Sequence, residues 1–153
     1  MAIRRILCLL DGRSEREPAL PTALTVAQQH GACVEVLHVS VEPREAVPIA
    51  ADGMTATMAE DILASVESDT ASRAQLAHDT FERVVADSGV RRVAPGSEVP
   101  DGPAAMFRHV RGREAEVVAR EGLLYDLLVL GRRHGEGEPP ASPTLEAAIM
   151  ETG

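Results

Sequence analysis

An acid and a glycine, Asp11-Gly12, close an apolar run from Ile6 to Leu10. A carboxylate is a pure hydrogen-bond acceptor, suited to hydroxyl and N–H groups. At the end of a strand in an open α/β sheet it stands where such sheets hold their ligands. A second group of residues lies late in the chain. Arg132-Arg133-His134 follows an apolar run that ends at Leu130-Gly131, and Ser142-Pro143 opens a last helix. Arg and His can receive an anion, and the first turn of a helix has free N–H groups that also attract one. Each residue also has a plainer role. Asp11 can end a strand and bond the turn backbone, Ser142 can cap a helix, and Arg132 to His134 can form a solvated loop.

Other chemistries find little here. The chain has no Lys, so no Gly-rich loop can end in Gly-Lys-Ser, and the late lysine of a response-regulator receiver is absent. Ser14 and Ser142 have no recognisable base partner or nucleophile-elbow motif. Glu114 and Glu116 point different ways on a helix and form no catalytic pair. His30, His38, His78 and His109 show no ligand spacing, so no metal site is expected. Cys8 and Cys33, the only cysteines, lie in apolar runs and are expected to be buried small hydrophobes.

The totals point the same way. The 153 residues suit one domain and carry a net charge of −9, which disfavours nucleic acid and anionic membranes as partners. Aromatics make up 2% of the chain, so the core must be aliphatic. No run reaches membrane-spanning length, and nothing resembles a signal peptide, so a cytoplasmic location is expected.

The elements that must position Asp11 and Ser142 alternate. Residues 3–10 predict a strand, followed by a helix reaching His30, with Ser14 as a plausible cap and Gly31 as its stop. Residues 33–41 are rich in valine and predict a second strand. A long helix follows from about Thr57 to Ser88. Its Leu63, Val66, Thr70, Ala74, Ala77, Phe81 and Val84 form one inward stripe, and its acids form a solvated face. Residues 90–103 are irregular. A third strand is expected over 104–110, a short helix over 113–121, a buried strand over 126–130, and a last helix with Leu145, Ala148 and Ile149 inward. Such alternation means a parallel sheet with right-handed crossovers.

The strand-Asp-Gly start, the Val36-Leu37-His38-Val39 strand and the Leu-Val-Leu-Gly strand end resemble the universal stress protein family over nearly the whole chain. The resemblance implies a three-layer α/β/α sandwich with five parallel strands in the order 3-2-1-4-5. Only four are placed here, giving 3-2-1-4 with the fifth missing. The chain is thus expected to be a single domain, residues 1–153, cut before its last strand. It would be the first domain of a tandem protein, or have its sheet edge completed by another chain. The resemblance also implies an adenine nucleotide such as ATP, held at Asp11, Gly12, Val39, Gly131, Arg132, Gly135 and Ser142, with Val39 behind the adenine. The phosphate loop departs from the family's pattern. His134 stands in place of its second glycine, Ala141 precedes Ser142, and the interval from Gly131 to Ser142 is 11 residues, shorter than the pattern's.

Two functions follow as expectations. One is a nucleotide-linked stress-response module with no catalytic role. The other is a nucleotide-free module that acts through a homo-oligomer or through pairing with a similar domain. An enzyme acting on nucleotide phosphates ranks below both.

Overall fold

The computed structural model describes residues 2–14, 17–42, 55–98, 100–131 and 142–152. The elements are β1 (Arg5–Leu9), α1 (Ala19–His30), β2 (Cys33–Ser40), α2 (Ala56–Ser88), β3 (Arg91–Arg92), β4 (Ala104–Arg111), α3 (Glu114–Gly122), β5 (Leu127–Val129) and α4 (Pro143–Met150). All strand pairs are parallel, in the order β3-β4-β2-β1-β5. The four strands expected from sequence take their expected neighbours. The count is a correction: the sheet has five strands, and the additional one is β3. It lies beyond β4, at the edge opposite β5. Its two arginines are exposed and give no hydrophobic signal.

Alternation along each strand divides the core between the two faces. Ile6, Cys8, Leu10, Val34 and Val36 pack under Leu20, Ala23, Leu24 and Ala27 of α1 and Ala77, Phe81 and Val85 of α2. Leu7, Leu9, Leu37 and Val39 pack on the other face under Val117 and Val118 of α3, with Ala148 of α4 beside them. β2 is buried along its whole length because both faces are covered and both edges are paired. Cys8 and Cys33 are free and buried, as expected. The run over 126–130 is less buried than its composition suggests. Only Leu127–Val129 is strand, and all three residues are half-buried.

α1 starts late. Pro18, not Ser14, is its N-cap residue, and no side chain caps it. Pro21 sits in the first turn, where no intrahelical N–H is lost. Gly31 ends the helix in the left-handed conformation at φ 65°. The stripe of α2 is only partly used: its buried residues are Ala77, Thr80, Phe81 and Val85, all in the C-terminal part. Leu63 and Val66 are half-buried. In α4 the buried residues are Thr144 and Ala147, whereas Leu145 and Ile149, expected inward, are exposed.

α3 covers only the carboxyl-terminal part of its face. Towards the amino edge that face is polar. Arg108 binds the carboxylates of Glu35 and Glu121, and the Arg5 guanidinium lies 4.7 Å from the Tyr125 ring centre. Burial, then a hydrogen bond to Glu35, pushes the Tyr125 phenol well above its ordinary range. The adjacent Asp126 accepts from the N–H groups of Arg4 and Arg5, both at 2.9 Å, and so fixes the start of β1 to the start of β5.

Candidate functional site

Asp11 follows β1 at the carboxyl edge of the sheet. One of its oxygens accepts from the Arg13 N–H at 2.8 Å, a turn closed by a short acidic side chain, and the other lies 3.8 Å from the Arg13 guanidinium. Gly12 has φ +68°, and a Cβ there would come within 2.2 Å of the Arg73 carbonyl oxygen of α2. Glycine at this position therefore lets α2 rest directly on the turn that carries Asp11.

Glu17 is the residue that sequence reasoning missed. Its carboxyl hydrogen-bonds the Asp11 carboxyl and receives the Asp11 backbone N–H. Burial first, then the contact with Asp11, pushes its pKa up to about 8, so it holds a proton at neutral pH. Two carboxyls in contact cannot both ionise cheaply, and one shared proton makes the pair a single negative charge. At the start of a helix Glu17 reads as a favourable dipole partner. Its real contact is made across the turn, from the residue just before the Pro18 cap.

Gly131 follows β5, the other neighbour of β1. Its backbone faces Glu17: a Cβ built there would lie 3.9 Å from Glu17 Oε1. Asp11, Gly12 and Gly131 are thus brought together, with the Glu17 carboxyl between the two strand ends. Glu114, at the start of α3, adds negative charge that also raises Glu17. Glu114 accepts from Thr144 Oγ1 at 2.7 Å, which ties the first turn of α4 to the first turn of α3. Ser142 is the N-cap residue of α4, but its side chain makes no capping hydrogen bond, contrary to expectation. Val39 is 7% exposed and lies under α3 with Leu9 and Val118. Arg132 and Gly135, with Arg133, His134, Glu136 and Glu138, lie outside the described residues.

The other face of the carboxyl edge holds a histidine pair. His38 and His109 are register partners on β2 and β4, with ring centres 5.4 Å apart. His38 Nδ1 bonds the Leu10 carbonyl at 2.8 Å, and Ser40 Oγ lies 2.7 Å from His109 Nε2. Burial, then His38 and Arg111, lower the His109 pKa, which keeps its ring neutral. The sequence shows these histidines as scattered because strand register is not written in it. Ser40 is only 3% exposed, so its contact with His109 ties two strands and gives no accessible nucleophile.

The order β4-β2-β1-β5 makes the gap between β1 and β5 the place where the crossovers reverse direction. Crevices at that point hold ligands in open α/β sheets. Among the described residues the crevice is lined by Asp11, Glu17, Glu114 and Gly131, with Arg13 nearby. It offers hydrogen-bond acceptors and a proton, and its charge resists a bare polyphosphate at Asp11 itself.

The comparisons with known proteins agree with this architecture. The sequence pattern of the universal stress protein family matches residues 2–141. No curated protein matches the chain by sequence. Among solved structures, the universal stress protein UspA from Lactobacillus plantarum superposes with a TM-score of 0.63 at 18% identity, covering 99% of this chain and 93% of that one. A universal stress protein in complex with cAMP gives a TM-score of 0.49 at 17% identity, covering 84% of this chain and 76% of that one. On the family match, with the parallel sheet and its helices in agreement, the chain belongs to the universal stress protein family.

Proposed function

We propose that this chain is a non-catalytic stress-response module that takes an adenine nucleotide at its carboxyl edge and passes the occupancy to a partner. The observation that carries the proposal is the meeting of Asp11 and Gly131 across the crevice between β1 and β5, with the Glu17 carboxyl spanning them. Asp11 and the Glu17 pair are suited to the hydroxyls of the ribose, which can donate to them. Val39 backs the base. Gly131, Arg132, Gly135 and Ser142 take the phosphates, away from the three carboxyls and towards the free N–H groups at the start of α4. The module associates with a second copy or a similar domain. The outer edge of β5 and the exposed Leu145, Ile149 and Met150 of α4 favour that side.

The test is thermal unfolding with millimolar Mg²⁺–ATP below the pKa of Glu17. Ligand at about 100 times its dissociation constant stabilises the native state by roughly 2.7 kcal/mol, and the Tm must rise. The shift should be lost in Asp11→Ala and reduced in Ser142→Ala. An unchanged Tm would reject nucleotide binding. The acidity of Asp11, Glu17 and Glu114 favours a second reading, a nucleotide-free interaction module. That reading requires an unchanged Tm together with association that depends on concentration in light scattering.

A further inference from the structure

α2 is far longer than the sheet it covers. Its 33 residues span roughly 50 Å at about 1.5 Å each, whereas the eight residues of β2 span roughly 26 Å. The contact between Gly12 and the Arg73 carbonyl marks where the helix passes the carboxyl edge. Residues 56–72 therefore project about 25 Å beyond the sheet. None of them is buried. The projecting part begins with a formed cap, Thr55 Oγ1 accepting from the Met58 N–H at 3.3 Å.

This arm is amphipathic, and its half-buried residues, Ala59, Leu63, Val66 and Thr70, all lie on the apolar side. On a helical wheel Ile62, Val66, Ala59, Thr70 and Leu63 fall on one arc, and Met58 lies beside Ile62 with Asp69 between them one turn beyond Val66. Met58 is 54% exposed and Ile62 37%. Acids border the arc on both sides, Asp61 on one and Glu60 and Glu67 on the other, whereas Asp69 is paired with Arg73 at 2.7 Å; residues 56–72 contain no Arg or Lys. A second copy laid on the arm would set acids against acids, and an anionic membrane would be repelled. A helix with an apolar stripe bordered by Lys and Arg satisfies both the stripe and its flanks.

We infer that the projecting half of α2 is a docking arm for a basic amphipathic helix of a partner protein. The partner's aliphatic side chains lie on Met58, Ile62 and Val66, and its cations lie on Asp61, Glu60 and Glu67. Recognition by an apolar seam with charged borders gives affinity through the seam and salt-dependent steering through the borders. The inference is independent of nucleotide binding.

The probe is a labelled amphipathic helical peptide of Leu, Lys and Arg, titrated into the full chain and followed by fluorescence anisotropy. Saturable one-to-one binding is expected. It should weaken about tenfold or more for the same composition in scrambled order, and for the double variant Ile62→Ser, Val66→Ser, a difference of roughly 1.4 kcal/mol. Both positions lie off the sheet, and the scrambled peptide tests the inference on the unaltered chain. Three results would overturn it: no binding, equal binding of the scrambled peptide, or unchanged binding by a folded double variant. A dimer in sedimentation that the double variant abolishes would also overturn it, because the arm would then be occupied by a second copy.

Discussion

Replacing Glu17 by Gln should stabilise the protein, and increasingly so as pH rises. In the folded chain Glu17 holds its proton up to about pH 8 because it is shielded from water and faces Asp11. Unfolded, it releases the proton near its ordinary value of 4.5. The folded state therefore binds the extra proton between these values, and stability falls with pH across that window. Below the lower value the two states hold the same proton and Glu17 costs nothing. Above the upper value the full cost has been reached. At about 1.4 kcal/mol for each tenfold change in proton affinity, the upper bound is roughly 5 kcal/mol. Glu17 is partly exposed, and solvent screening reduces that figure to about 1–2 kcal/mol. Glutamine has the same shape and can still donate to Asp11, but it does not titrate. Urea unfolding of both proteins from about pH 5 to pH 9 isolates the effect, because the other carboxyls are common to both. The stability difference should be small at the acid end, grow through neutrality and level off above about pH 8. A difference that is flat with pH would refute the shared proton, whatever its sign.

Two further substitutions test the geometry. Gly12→Ala places a Cβ 2.2 Å from a backbone oxygen at positive φ and should cost about 3 kcal/mol or more in urea unfolding. Gly96→Ala, also at positive φ but with no atom within 4 Å, should cost only about 1–2 kcal/mol. Arg108→Met removes the cation that Glu35 and Glu121 share, leaving Glu121 with the exposed Arg120 only, and should cost about 2–3 kcal/mol at neutral pH. Arg108 holds the Glu121 carboxyl below its ordinary range. The stability this gives is present above the ordinary value and lost as pH falls through the lowered one. The gap between Arg108→Met and the parent chain should therefore narrow in acid, as measured by unfolding at each pH.

The parts of the fold legible in the sequence were those whose burial has a local period. β1 declares itself because both faces are covered and four of its five residues are apolar, and β2 by its recurring valines, although Glu35, His38 and Ser40 are buried with them. β3 is two arginines added to an edge, held by register with β4 and not by burial, and no pattern in the chain marks it. The stripe of α2 was legible, but the point at which it leaves the sheet was not. That point is set by contact between residues 12 and 73. The site divides in the same way. Asp11 could be located because it ends a strand, whereas its partner Glu17 and the charge of Glu114 depend on how three loops meet. Ser142 sits at the expected helix start, yet its hydroxyl does not cap it.

The amino-edge cluster has an optical consequence. The chain contains one tyrosine and no tryptophan. All its intrinsic ultraviolet emission above that of phenylalanine therefore comes from one place, the ring held between Arg5 and Glu35. A phenol hydrogen-bonded to a carboxylate emits weakly, so the native protein is expected to be dim and to brighten as it unfolds. Tyr125 precedes β5, whereas Asp11 follows β1, so the lamp and the crevice stand at opposite ends of the sheet. Loosening of the amino edge will be seen at once, whereas a ligand that settles at the crevice leaves the emission unchanged.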